Sequence, residues 1–295
     1  MFKTSWIGTR SITVSKNLIY QYWDGKVRPS AQYGSDCMRA YAEKIGADYI
    51  FDLNANFGKS FGLGRVTPYY GCFKPVFNDD FLEYDKVMFC DTDIFPLDTC
   101  DENIFETFTG ELAMATEPLQ TQYRFDPKLK KQCNKVTELT WSRLVTEKYG
   151  CAVPMDMDGR PKVYNSGVVL YSNAGLRKCR EQFQPFKDYV DMVEGDPACR
   201  GKVYGTDQGY LHAMACSMDI DFVELDNEWN RYITWCPYDN TKSFIRTAVD
   251  PRTKNTKMVH IQMRGADNQS NEWHWAIANK PKTEWLPMKD GTSIK

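Results

Sequence analysis

Two carboxylates, Asp91 and Asp93, flank Thr92 directly after Lys86-Val87-Met88-Phe89-Cys90, the strongest buried-strand run in the chain. Ionised side by side they repel each other, and a hard divalent cation such as Mn2+ or Mg2+ removes that penalty. A cation held this way can in turn bind a diphosphate. An Asp-x-Asp taken alone describes many solvated turns. Its place sharpens it, because ligands of open α/β sheets collect beyond the carboxyl ends of strands.

The elements that must position the pair can be read from the same sequence. A strand over 17–23, a helix over 34–45 capped by Ser35 or Asp36 and stopped by Gly46, and a strand over 48–51 make a parallel α/β opening. A helix over 69–82 is expected to bend at Pro75. The glycines of 58–64 lack the Gly-Lys-Ser/Thr register of a phosphate loop and predict a flexible surface loop. Strands follow over 86–90, 111–116, 163–171, 220–225 and 258–261. Helices are expected over 136–148, over 175–192 despite Pro185, over 206–214 with Thr206 or Asp207 as cap, and over 271–279. With no repeat and no low-complexity linker, residues 1–295 read as a single domain. Within it, 117–161 is an acceptor-side excursion or lid and 283–295 a frayed tail.

The run from Tyr84 through Asp93 resembles the metal-binding motif of nucleotide-sugar glycosyltransferases with the GT-A fold, most nearly the glycogenin and bacterial lipopolysaccharide galactosyltransferase group. That resemblance implies an α/β, Rossmann-like architecture with a mixed, mostly parallel central sheet flanked by helices. It also implies Asp91 and Asp93 holding Mn2+ against the diphosphate of the donor. Lys74, in Phe73-Lys74-Pro75, looks like the family's basic residue on the preceding helix, near phosphate or donor sugar. Tyr164-Asn165-Ser166-Gly167-Val168 is similar to the stretch that lines the donor sugar. Thr206-Asp207-Gln208-Gly209 is similar to the Asp-Gln segment beside the reacting anomeric carbon. Val259-His260-Ile261-Gln262-Met263-Arg264-Gly265 resembles the late motif whose His is the third protein ligand of the metal. The chain departs from the family after His260: Gly265 comes five residues on rather than three, and no Lys-Pro-Trp follows.

Each residue so placed has its own chemistry and its plainer alternative. Neutral imidazole suits Mn2+ beside carboxylates, and His260 is otherwise a polar strand end. Asn165 and Ser166 can read sugar hydroxyls and Gly167 allows close backbone approach, or the three form an ordinary edge turn. Asp207 is either a helix cap or the group that accepts the acceptor's proton, with Gln208 orienting the sugar; those two roles are exchangeable. Tyr20, Tyr22 or Trp23 could stack on a base and Asp52 could reach a ribose, although aromatics in a strand are commonly core. Arg65, Lys74 and Arg264 are candidate phosphate partners or solvated charges. The stretch 227–235 could wall an acceptor groove.

The predicted function is metal-dependent transfer of a glycosyl unit from a nucleoside diphosphate sugar, with UDP the family's default, to a hydroxyl of a glycan or glycoprotein. Retention or inversion stays open, with Asp207 or Asp158 the base if the enzyme inverts. The rival readings are a metal-dependent nucleotidyltransferase or phosphohydrolase, and a noncatalytic carbohydrate-binding protein that uses the aromatics, 14% of residues. The balance of 37 basic and 39 acidic residues argues against nucleic acid as a partner. No apolar run approaches a membrane span and no signal peptide is visible. The expected location is therefore the cytoplasm of a bacterial cell or a virus-infected host cell, with a homodimer left open. The ten cysteines form no CxxC pair and are expected to be mostly free, buried thiols.

Overall fold

A computed structural model describes residues 15–116, 135–157, 159–233, 235–237, 244–246, 252–261 and 269–286. Its strands are β1 (Asn17–Trp23), β2 (Asp48–Leu53), β3 (Lys86–Cys90), β4 (Ile94–Pro96), β5 (Leu112–Thr116), β6 (Tyr164–Ser172), β7 (Phe222–Leu225), β8 (Arg231–Ile233), β9 (Trp235–Pro237), β10 (Phe244–Arg246) and β11 (Met258–Ile261). Its α-helices are α1 (Pro29–Lys44), α2 (Lys74–Phe77), α3 (Lys135–Tyr149), α4 (Asn173–Gln182), α5 (Phe186–Gly195), α6 (Asp207–Ser217) and α7 (Asn271–Asn279).

The central sheet has six strands in the order β2-β1-β3-β6-β5-β7. The β1–β2, β1–β3 and β5–β7 pairs are parallel, and β6 runs antiparallel to both β3 and β5. The result is an α/β fold with a mixed, largely parallel sheet flanked by helices. Alternate residues of the middle strands feed two cores. Leu18, Tyr20, Val87, Phe89, Val169 and Tyr171 enter one, while Ile19, Met88, Cys90, Val168 and Leu170 enter the other. Burial on both faces is why these strands read as near-continuous apolar runs. A smaller sheet, β4-β11-β8, packs α7 against it through Phe95, Val259, Ile261, Trp273 and Ile277.

Two features of this topology bear on function. Because β6 is antiparallel to β3, its amino end, Tyr164–Gly167, lies beside the carboxyl end of β3. Along β5 the register jumps from Met114↔Val169 to Ala115↔Asn165, so residues 166–168 bulge away from β5, a device that often re-aims side chains near functional sites. The bulged Gly167 carbonyl accepts from the Asp91 N–H at 2.8 Å.

Several expected elements differ in extent. The first helix begins at Pro29, not Gly34, with Pro at its first turn where the missing N–H is harmless. Ser35 and Asp36 therefore lie inside it and cap nothing; Ser35 is buried and Asp36 accepts from Gln32 at 2.9 Å. Residues 58–64 are not a flexible loop but parts of two 3-10 segments, Phe57–Phe61 and Gly64–Phe73. The expected helix over 69–82 is broken into the end of that segment, the single turn α2 that starts at Lys74-Pro75, and a 3-10 turn at Asp79–Glu83. Pro185 ends rather than bends the 175–192 helix, giving α4 and α5. Helix α3 places Trp141 and Val145 in the same core as α5, where the Trp141 indole N–H donates to the Tyr189 hydroxyl at 2.9 Å. Among the described residues Cys37, Cys72, Cys90, Cys100, Cys151, Cys179, Cys199 and Cys216 are free thiols, five of them buried. No helix among the described residues is long and apolar enough to cross a membrane.

Candidate functional site

Strand β3 ends at Cys90, and the chain turns back through Asp91-Thr92-Asp93 into β4, with the Ile94 N–H donating to the Asp91 carbonyl at 3.2 Å. This four-residue turn sets both carboxylates at the edge where β3 runs out. Strand β11 pairs with β4 in antiparallel register, and the Ile261 N–H donates to the Asp93 carbonyl at 2.9 Å. That pairing carries His260 to the turn, although it lies 167 positions later in the chain (260 − 93). One ligand atom from each of Asp91, Asp93 and His260 falls within 4.8 Å of the others. The His260 Nε2 is 3.3 Å from Asp93 Oδ1.

The electrostatics of this cluster suit a divalent cation. Burial, and then the neighbouring Asp93, hold the Asp91 carboxyl well above the usual carboxylate range; His260 opposes this and Asp207 adds to it. Three carboxylates crowd the neighbourhood, with a buried imidazole. Two hard oxygens and one borderline nitrogen are a donor set that fits Mn2+ or Mg2+, the nitrogen favouring the former.

The turn is held from below. Gln21 is fully buried in β1 and its amide N–H2 donates to the Asp91 carbonyl at 2.9 Å. Its Oε1 accepts from the Tyr49 hydroxyl at 2.7 Å, which in turn lies 2.6 Å from the Ser35 hydroxyl. Helix α1 approaches so closely that a Cβ on Gly34 would sit 1.9 Å from the Thr92 carbonyl oxygen.

The donor-sugar candidates join the Asp-Gln candidates. The Asn165 amide N–H2 donates to Gln208 Oε1 at 3.4 Å, while Ser166 hydrogen-bonds to the Asp207 carboxylate. Asp207, in the first turn of α6, is buried; burial raises its carboxyl to about 6 against the pull of Ser166 and the local backbone amides. Thr206 occupies the cap position but makes no side-chain cap bond, since its hydroxyl donates to the Val203 carbonyl at 2.6 Å. Asn230 lies between Asn165 and His260. Its amide N–H2 donates to Asn165 Oδ1 at 2.7 Å and its Oδ1 faces His260 Nδ1 at 3.2 Å.

The nucleotide side looks different. Tyr20 does not offer a face to a base: it is fully buried against Phe81 and Phe89, and its hydroxyl donates to Asp52 at 3.2 Å. Desolvation in that core, and then Asp52, keep its phenol protonated far above the ordinary tyrosine range. Tyr22 is half-buried, with its hydroxyl donating to the Pro68 carbonyl at 2.6 Å. Trp23 is half-buried and donates to Lys26 at 3.1 Å. Lys74 forms an ion pair with Asp52, both partly buried. Arg65, about half exposed, pairs with Glu194 at 2.5 Å. Arg264 and Asp158 lie outside the described residues, as do 117–134 of the acceptor-side segment.

The residues that sequence reasoning passed over are Gln21, Gly34 and Asn230. Gln21 did carry a signal, a polar side chain inside an otherwise apolar strand. Asn230 carried none, because its partners are 65 and 30 positions away.

These features define an α/β protein with a candidate divalent-cation centre at the carboxyl edge of its sheet. No family model matches the chain, and none of the curated proteins does. Among solved structures it is similar to a glycosyltransferase involved in glycosylation of the major capsid of PBCV-1, at 9% identity and TM-score 0.45 over 88% of this chain and 96% of that one. It is similar to mouse xyloside xylosyltransferase 1 at 15% identity and TM-score 0.47, over 84% and 97%. It is similar to the galactosyltransferase LgtC at 15% identity and TM-score 0.45, over 88% and 94%. Likeness of this degree assigns the chain to no family.

Proposed function

We propose that this chain is a GT-A-type glycosyltransferase that moves a glycosyl unit from a nucleoside diphosphate sugar, UDP-linked by the family's habit, to a hydroxyl of a glycan or glycoprotein. The observation that carries the reading is the meeting of Asp91, Asp93 and His260 within 4.8 Å at the end of β3, next to the interlocked Asn165–Gln208 and Ser166–Asp207 pairs. Asp91, Asp93 and His260 hold Mn2+ or Mg2+. A cation bound there offsets the negative charge that develops on the departing diphosphate. Asn165, Ser166 and the Gly167 backbone line the donor sugar, and Gln208 orients it. Asp52 takes a ribose hydroxyl, and Lys74 acts through Asp52 by holding it in place. Asp207, with its carboxyl raised to about 6, is ionised near neutral pH and basic enough to accept a proton from an acceptor hydroxyl if the reaction inverts. If it retains, Asp207 holds and orients the sugar while the acceptor attacks on the face that the diphosphate leaves.

The test is calorimetry of the whole chain with a panel of nucleoside diphosphate sugars, with and without Mn2+, followed by product analysis. Metal-dependent consumption with release of the nucleoside diphosphate supports the reading. Transfer of a nucleotidyl group with release of pyrophosphate would replace it with the nucleotidyltransferase. Sugar binding that ignores both metal and nucleotide would leave a carbohydrate-binding protein.

A further inference from the structure

The hydrogen bonds behind His260 have a direction that one backbone amide fixes. The Gly167 N–H, which can only donate, gives its proton to Asn165 Oδ1 at 2.8 Å. That oxygen is therefore the acceptor side of the Asn165 amide. The Asn230 atom 2.7 Å from the same oxygen must then be its N–H2, which turns the Asn230 Oδ1 toward His260 Nδ1 at 3.2 Å. An oxygen at that place accepts, so Nδ1 carries the proton. The Asn165 N–H2 is left to donate to Gln208 Oε1 at 3.4 Å, which directs the Gln208 N–H2 elsewhere. Asn165, Asn230 and His260 are all buried, at 4–5% exposure. The ring has little room to turn. Tyr232 packs on it with centroids 4.6 Å apart, and a Cβ on Gly167 would come within 2.8 Å of it.

We propose that Asn230 is a positioning residue that fixes His260 as the Nδ1–H tautomer, so that the Nε2 lone pair faces Asp93 and a divalent cation, and that the Asn230–Asn165 hydrogen bond ties this ligand to Gln208. With Nδ1 protonated by this arrangement, Nε2 and Asp93 Oδ1, 3.3 Å apart, present two lone pairs to each other unless a proton or a cation lies between them. A partner that holds the second ring nitrogen sets both the orientation and the basicity of a histidine ligand. The proposal rests on the metal reading of the site, but the tautomer itself can be measured without metal.

Nitrogen-15 NMR of the metal-free protein, labelled at histidine and taken at alkaline pH where the rings are neutral, reads the tautomer directly. The expected result is a protonated Nδ1 and an unprotonated Nε2 for His260; the reverse would overturn the proposal. The second arm titrates Mn2+ into wild type, Asn230→Leu and Asn230→Asp, following free Mn2+ by EPR, with circular dichroism melting as the control for folding. Asn230→Leu is expected to weaken Mn2+ binding by about 10- to 100-fold. Asn230→Asp keeps an acceptor for Nδ1–H while losing the donor to Asn165, so its affinity should stay within a few-fold of wild type. Equal weakening by both folded variants, or by neither, would overturn the role given to Asn230. If wild type itself takes up no Mn2+, the metal reading and the ligand role fail together, while the NMR arm still decides the direction of the relay.

Discussion

At the carboxyl edge of the central sheet, the strand end of β3 and the neighbouring strand ends of β1 and β2 hold their polar groups in opposite ways. At the β3 end, where β11 of the smaller sheet comes in beside β4, hydrogen bonds arrive from behind. Gln21 supports the Asp91 carbonyl and Asn230 supports His260 Nδ1, which leaves carboxylate oxygens and an imidazole nitrogen facing one another. At the β1–β2 end the polar groups satisfy each other instead: Tyr20 donates to Asp52, and Lys74 neutralises it. Both ends contain residues of the right chemical type. The first is arranged to need a further charge, and the second has largely met its needs internally. Residue type alone therefore does not make a ligand; what matters is whether the side chain's own hydrogen bonds are spent toward the ligand position or away from it.

The most severe way to break this contrast is to remove a carboxylate from the first end. Asp93→Ala is expected to lower metal-dependent turnover by about 10³-fold, the scale on which a bound cation stabilises a diphosphate leaving group. Its melting temperature without metal should hold or rise, because the charge that helps to push the Asp91 carboxyl up is gone. Turnover and Mn2+ affinity equal to wild type would remove the distinction between the two ends.

A second effect follows from the burial of Asp207. The Asp207 carboxyl is raised by burial from 3.8 to about 6 in the folded chain. Between those values the folded protein keeps a proton that the unfolded chain has released, so this group's contribution to stability falls as pH rises. This contribution is fully present below about pH 4 and is lost through about pH 6, an amount of ~3 kcal/mol. Asp91 is shifted in the same direction and adds to it. Buried His212, whose ring is pushed down to about 3 by desolvation, contributes in the opposite direction over the same window, so the Asp207 effect is read as a difference. In urea denaturation of the metal-free protein across pH 4–7, wild type should lose stability relative to Asp207→Asn as pH rises. A difference between the two proteins that stays flat, or runs the other way, would contradict the raised Asp207 carboxyl.

Why one end was more legible than the other follows from how far apart the determinants lie. The Lys86–Cys90 strand, the Asn17–Trp23 strand, the Met258–Ile261 strand and the Asn271–Asn279 helix all have local apolar patterns, and their boundaries match the structure. The Asp91–Asp93 pair was readable because a short turn after a buried strand has few places to go. The start of α1 was not: Pro29-Ser30-Ala31-Gln32-Tyr33 has weak periodicity, and Gly34, which looks like a helix boundary, is inside the helix because α1 must touch Thr92. Tyr20 could not be told from a base-stacking residue, since both roles call for an aromatic in β1; only packing against Phe81 and Phe89 decides it. The pairing of Lys74 with Asp52, and of Asn230 with both His260 and Asn165, joins side chains from separate elements, and no local pattern encodes it.

Gly167→Ala sharpens the contrast at moderate cost. Its Cβ would lie 2.7 Å from Asn165 Oδ1 and 2.8 Å from the His260 ring. The packed ring must then shift, and Mn2+ affinity should drop about tenfold, the lower end of what disturbing a ligand's support does. Gly34→Ala acts on the same turn from the helix side: a Cβ 1.9 Å from the Thr92 carbonyl oxygen pushes α1 off the Asp91–Asp93 turn, so the melting temperature should fall together with Mn2+ affinity.

The smallest effect examines the self-satisfied end. If Lys74 acts only through Asp52, then Lys74→Met and Asp52→Asn each disturb the same arrangement. Each should weaken nucleotide-sugar binding by a few-fold, ~1 kcal/mol. The double variant should be little worse than either alone, because once the pair is broken there is nothing further to lose. Isothermal titration of the four proteins with one donor gives the coupling energy directly. Additive losses, with Lys74→Met the larger, would mean that the ammonium leaves Asp52 for the diphosphate when donor binds. The ion pair would then be a resting place for a phosphate ligand, and the two ends of the edge would differ only until the donor arrives.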